Sequence, residues 1–128
     1  MHYALLIYSA PDAAATAART DVGERAADGV IDDWADYTRA LKGAGVLGAA
    51  EQLRGTDTAT SVRLRGGERL LTDGPFVETK EHLLGFYLLD VPDLDTAVEW
   101  ASRMPIVRHG TVEVRPLVRG AGWRKALE

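Results

Sequence analysis

The chain contains no cysteine. That excludes a disulfide framework and any thiolate metal site, and it suits a reducing compartment. Histidine is scarce: His2, His82 and His109 are far apart, and no two share a helical metal-binding spacing. No apolar run approaches the roughly 20 residues that a membrane-spanning helix needs. Met1 leads directly into strand-like sequence without the charged-then-apolar start of a signal peptide, so the cytoplasm is the expected location. There is no phosphate-binding glycine loop, no dinucleotide fingerprint and no serine nucleophile elbow. No cofactor is expected on that basis. The net charge of −4 argues against direct nucleic-acid binding.

What remains is an ordinary globular composition, 46% hydrophobic and 27% charged, in 128 residues, which suits one domain. The charge is uneven. Residues 103–128 hold six basic side chains against two acidic ones, a net of +4, whereas residues 1–102 hold nine against seventeen, a net of −8. The basic end is expected to rest against acidic surface of its own or a partner chain. The domain is expected over 1–117, with 118–128 as a tail whose Trp123 needs a surface to pack on.

Two segments, 3–8 and 85–91, are apolar on both alternations and read as strands buried on both faces. Residues 9–20, rich in alanine, read as a loop or short frayed helix. Val30, Trp34, Tyr37 and Leu41 recur at three- and four-residue steps and predict a helix over 22–44, ended by Gly43 and Gly45. That stripe reads as core, with a ligand-stacking face as the alternative for its aromatics. A strand over 46–53 follows. Residues 60–65 then alternate cleanly, Gly66-Gly67 turns, and 68–72 returns, a strong hairpin pattern. Asp93 is a good helix cap, and Leu94, Ala97, Val98, Ala101 and Met104 predict a second helical stripe closed by Pro105. Residues 111–117 alternate as a last strand, and Pro116 marks it as a sheet edge.

Without the hairpin, the order is the β-α-β-β-α-β of ferredoxin-like α+β folds, whose first and third strands are central. Two helices cover one face of a four-stranded sheet, yet both central strands are apolar on two faces. A bare apolar sheet face invites aggregation. A homodimer with two sheets packed face to face, a dimeric α-β barrel, is therefore expected.

Between hairpin and third core strand lies Asp73-Gly74-Pro75-Phe76, followed by Glu78-Thr79-Lys80-Glu81. Gly74 permits a sharp reversal, Pro75 fixes its own φ, and Asp73 can lock the turn through its side chain. Phe76 is the expected apolar anchor. With Gly85-Phe86-Tyr87-Leu88, the opening Tyr3-Ala4-Leu5-Leu6-Ile7-Tyr8 and the late Gly110-Thr111-Val112-Glu113-Val114-Arg115-Pro116, this stretch resembles the YCII-related family, in the subgroup named for its Asp-Gly-Pro-Phe motif. The resemblance implies a dimeric α-β barrel. It also implies an association with alternative sigma factors, which makes a non-enzymatic regulatory module the competing functional reading. Shorter relatives in that family carry a His–Asp pair proposed as catalytic, with the histidine near the start of the first helix. Residues 22–44 hold Asp32, Asp33 and Asp36 but no histidine, so that acid–base pair has no counterpart at that place.

The sequence therefore supports a small-molecule cleft whose reaction, if any, is open. Asp73, Glu78 and Lys80 are its charged candidates, against the plainer reading of a well-made turn with a solvated arm. Glu113 and Arg115 share one side of the last strand, either as a partly buried pair beside the cleft or as an exposed edge pair. Tyr8 and Tyr87 supply hydroxyls if they face the cavity and core packing if they do not. Asp73 and His109 are the catalytic candidates; His109 acts as acid or base only if a pocket opens at the last strand.

Overall fold

The computed structural model describes residues 1–10, 29–119 and 126–127. Six strands, two helices and two short 3-10 turns make up the described residues. Strands β1 (His2–Ser9), β2 (Leu47–Gln52), β5 (His82–Asp90) and β6 (Thr111–Pro116) form one antiparallel sheet in the order β2-β5-β1-β6. Strands β3 (Thr60–Arg65) and β4 (Glu68–Asp73) form a separate two-stranded sheet. The mixed α+β arrangement is consistent with the ferredoxin-like expectation. The doubly apolar strands are central, and the strand bearing Pro116 is at an edge.

Helix α1 (Trp34–Gly43) is shorter than the 22–44 that its periodicity predicts. Residues 22–28 lie outside the described residues, as do 11–21, so the expected loop over 9–20 is seen only at its start. The helix begins where Asp33 caps it, accepting from the Ala35 amide at 2.8 Å. Ahead of the cap, Val30 and Ile31 are both buried, and the Ile31 amide donates to the Arg103 carbonyl at 2.9 Å. Two adjacent buried apolar residues suit an irregular segment pinned to the core better than a helix stripe that shows one face. Helix α2 (Leu94–Ser102) is capped by Asp93, which accepts from both the amide and the hydroxyl of Thr96. Those bonds favour the charged form and hold the Asp93 carboxyl below its usual range.

Both helices lie against one face of the sheet. The core joins Tyr3, Leu5 and Ile7 of β1, Tyr87 and Leu89 of β5, and Tyr37 and Leu41 of α1. Ala97, Ala101 and Met104 come in from the second helix region. Leu94 and Val98, expected on the same buried stripe, are instead 50% and 45% exposed. The helix is rotated so that Ala97 and Ala101 face inward, which brings it close to the sheet, and Trp100 flanks them. Tyr37 links the helices by donating to the Trp100 carbonyl at 2.8 Å. Burial pushes the pKa of that phenol well above its ordinary value.

The opposite face is apolar along β1 and β5, and among the described residues no helix covers it. Register places Ala4, Leu6 and Tyr8 of β1 beside Leu88, Phe86 and Leu83 of β5. It also places them beside Arg115, Glu113 and Thr111 of β6. The β3–β4 hairpin turns through Gly66 and Gly67, both at positive φ, as the Gly-Gly pattern predicts. Its β4 strand is exposed throughout. Phe76, expected to anchor the following loop, is 70% exposed and lies under the Arg63 guanidinium at 4.5 Å. The loop is held instead by its backbone, with the Gly74 amide donating to Ala59 and the Ser61 hydroxyl to the Gly74 carbonyl. The expected packing of the tail through Trp123 lies outside the described residues.

Candidate functional site

A cavity of about 460 Å³ opens between the sheet and α1. Three local features create it. First, the β1–β5 register shifts between Ile7 and Tyr8, so Leu84 stands as an extra residue against β1. Second, the neighbouring Gly85 lets β2 approach closely: a Cβ there would sit 2.5 Å from the Glu51 carbonyl oxygen. Third, β2 presents only Ala50 opposite Tyr87, leaving space a larger side chain would fill.

From the helix side come Trp34 and Thr38, one turn apart and therefore on one face. Ile7 and Ile106 close the inner wall, while Glu51 and Gln52 line the β2 side. The Trp34 and Tyr87 rings are nearly parallel, 13° apart with centroids at 6.1 Å, and Tyr37 meets both edge-on. The Tyr87 and Thr38 oxygens are 2.7 Å apart, and Thr38 also donates to the Trp34 carbonyl at 2.9 Å. Burial raises the Tyr87 pKa above that of an ordinary phenol, with the Thr38 contact acting the other way. This is a half-open, mostly apolar cleft with one ordered pair of hydroxyls and with Glu51 and Gln52 on its β2 side, the general form of a small-molecule site.

Of the residues named from sequence, Tyr87 lines this cavity. Tyr8, Glu113 and Arg115 belong to the face opposite α1 and α2. There Arg115 Nη2 meets Glu113 Oε2 at 2.6 Å; that oxygen is closed off from solvent and lacks an aligned hydrogen bond. Asp73 ends β4 opposite Thr60, and Glu78 and Lys80 are exposed on the segment leading to β5. His109 follows the Pro105–Arg108 turn and is exposed, with its amide bonded to Ile106. The structure thus gathers the candidates into separate places: the cavity, the sheet face opposite α1 and α2, the arm, and the turn before β6. Among the described residues, no group of three or more His, Asp or Glu side chains is placed to hold a metal ion. No helix among them is long and apolar enough to cross a membrane.

Sequence reading passed over Thr38, Ala50, Leu84 and Ile106. Thr38 had a usable signal, lying one helical turn after Trp34. Leu84 and Ala50 had none, because a bulge and a strand pairing place them.

The family model of the YCII-related domain matches residues 1–120. The chain belongs to the YCII-related family. An uncharacterized protein of Rhizobium meliloti (strain 1021) is 39% identical to this YCII-related chain over 119 residues, covering 91% of the chain and 92% of the relative. The match spans both the sheet and the arm that carries Asp73.

Proposed function

We propose that this YCII-related protein is a homodimeric α-β barrel that binds a small molecule, and that it belongs to the subgroup bearing the Asp-Gly-Pro-Phe motif. The cavity behind the sheet carries the reading. It is roomy, walled by Ile7, Leu84 and Ile106, and holds a fixed hydroxyl pair at 2.7 Å. A half-open cleft with mostly apolar walls and a few fixed polar groups is the usual form of a small-molecule site.

The dimer rests on a second observation. Leu6, Phe86 and Leu88 sit partly exposed on the face that neither helix covers, around the shielded Glu113 oxygen. The same face of a second copy buries that apolar strip and brings Tyr8, Glu113 and Arg115 to the interface. Asp73, Glu78 and Lys80 stay with the arm as the charged candidates for a ligand's approach, and Asp73 and His109 as the candidates for chemistry. The lack of cysteine accords with a cytoplasmic setting.

The test is a metabolite screen by thermal shift on the intact chain and on Ala50→Trp. A ligand that stabilises the first and not the second supports the cavity; a ligand indifferent to Ala50→Trp removes it. Leu6→Glu, followed by sedimentation velocity, tests the dimer independently. A folded wild-type monomer at micromolar concentration overturns it.

A further inference from the structure

The hydrogen bonds in the cavity have a direction. A threonine hydroxyl carries a single proton. Thr38 gives that proton to the Trp34 carbonyl, at 2.9 Å, and a carbonyl can only accept. The 2.7 Å contact between Thr38 Oγ1 and Tyr87 Oη must then be made by the tyrosine proton. The relay runs from Tyr87 to Thr38 to the helix backbone and ends there. Tyr87 Oη is left with lone pairs for a ligand and no proton to give.

The walls narrow the choice further. Ile7, Leu84 and Ile106 are apolar, and the Trp34 ring lies within 13° of parallel to Tyr87. A flat ring matches that surface. Among the described residues no lysine, arginine or histidine lines the cavity, and the charged residue that does is Glu51. Against these described walls an anion would find no counter-charge and would lose hydration.

Building on the cavity reading above, we propose that the site selects a flat, uncharged ring bearing an N–H or O–H group, which donates to Tyr87 Oη. Acceptor-only rings are disfavoured, because their lone pairs would oppose those of the tyrosine. Anionic rings are disfavoured because the described walls offer Glu51 and no cation. The selection is set by a threonine that touches the tyrosine, so the helix backbone fixes what kind of ligand the strand accepts.

Isothermal titration of the full chain with four probes tests this: indole, 1-methylindole, quinoline and indole-3-carboxylate. Indole is expected to bind about fivefold tighter than 1-methylindole, the effect of one net hydrogen bond. Quinoline and indole-3-carboxylate are expected to bind more weakly than indole. Tyr87→Phe should bring indole down to the level of 1-methylindole and leave the latter unchanged. Thr38→Val frees the tyrosine proton, so quinoline should gain several-fold. Equal binding of indole and 1-methylindole to the wild type overturns the inference while leaving the cavity standing. Quinoline binding as tightly as indole does the same. If no probe binds, or if Ala50→Trp binds them as well as the wild type does, both the inference and the cavity reading fall.

Discussion

Strand β1 presents two different surfaces from one run of apolar sequence. Tyr3, Leu5 and Ile7 are sealed under the helices, with Leu5 at 0% exposure. On the other side, Ala4 is shielded by its small size and its neighbours, while Leu6 and Tyr8 are partly open. The residue types barely differ between the two sides. What differs is the cover: α1 and α2 both lie on one face. Apolarity on a strand therefore states a demand for burial, and the placement of α1 and α2 decides which half of that demand these two helices meet.

The largest break in this comparison should come from the sealed side. Leu5→Ala is expected to cost about 2–5 kcal/mol of unfolding free energy, measured by urea denaturation, because it leaves a cavity in closed packing. The loss should not depend on protein concentration. Leu6→Ala on the open side should cost less, about 1–2 kcal/mol, and its cost should grow with protein concentration if the proposed dimer forms. A concentration-independent loss at Leu6 equal to that at Leu5 would erase the distinction between the faces.

Tyr37→Phe sharpens the account of the sealed side. It removes the 2.8 Å bond to the Trp100 carbonyl and should cost about 1–2 kcal/mol. It should also change the alkaline limb of the stability curve. The folded-state pKa of Tyr37 is raised above the ordinary value of 10.0, so its contribution is complete below pH 10.0 and declines as pH rises beyond that. The variant should lose that part of the decline, as followed by circular dichroism from pH 8 to pH 12. The smallest effect is expected on the β3–β4 hairpin, where Val62→Ser, at 63% exposure, should stay within about 0.5 kcal/mol in the same urea assay.

Much of this was open to reading because it rests on local rules. The Gly66-Gly67 turn, the Asp93 cap and the edge position of Pro116 each follow from what one residue type permits. The misreadings have local causes too. Val30 fits the helical stripe by spacing, but the Asp33 cap starts the helix only after it. Leu94 and Val98 fit a stripe equally well, and Ala97 and Ala101 took the inward face because small residues allow the helix nearer the sheet. Phe76 reads as an anchor, yet backbone bonds at Gly74 already hold the loop.

The site was harder to read than the fold. Tyr87 was visible as one of several candidate hydroxyls, and Trp34 as an aromatic with two readings. Their partnership with Thr38 was not, because 49 residues separate Thr38 from Tyr87 in the chain. By itself the sequence determined the elements, the central strands and the surplus of apolar surface, since these depend on periodicity and side-chain chemistry. Tertiary structure alone decided which face the helices cover, where the bulge at Leu84 opens a cavity, and that Thr38 Oγ1 meets Tyr87 Oη. Those depend on distances between segments remote in the chain, and no local pattern encodes a distance.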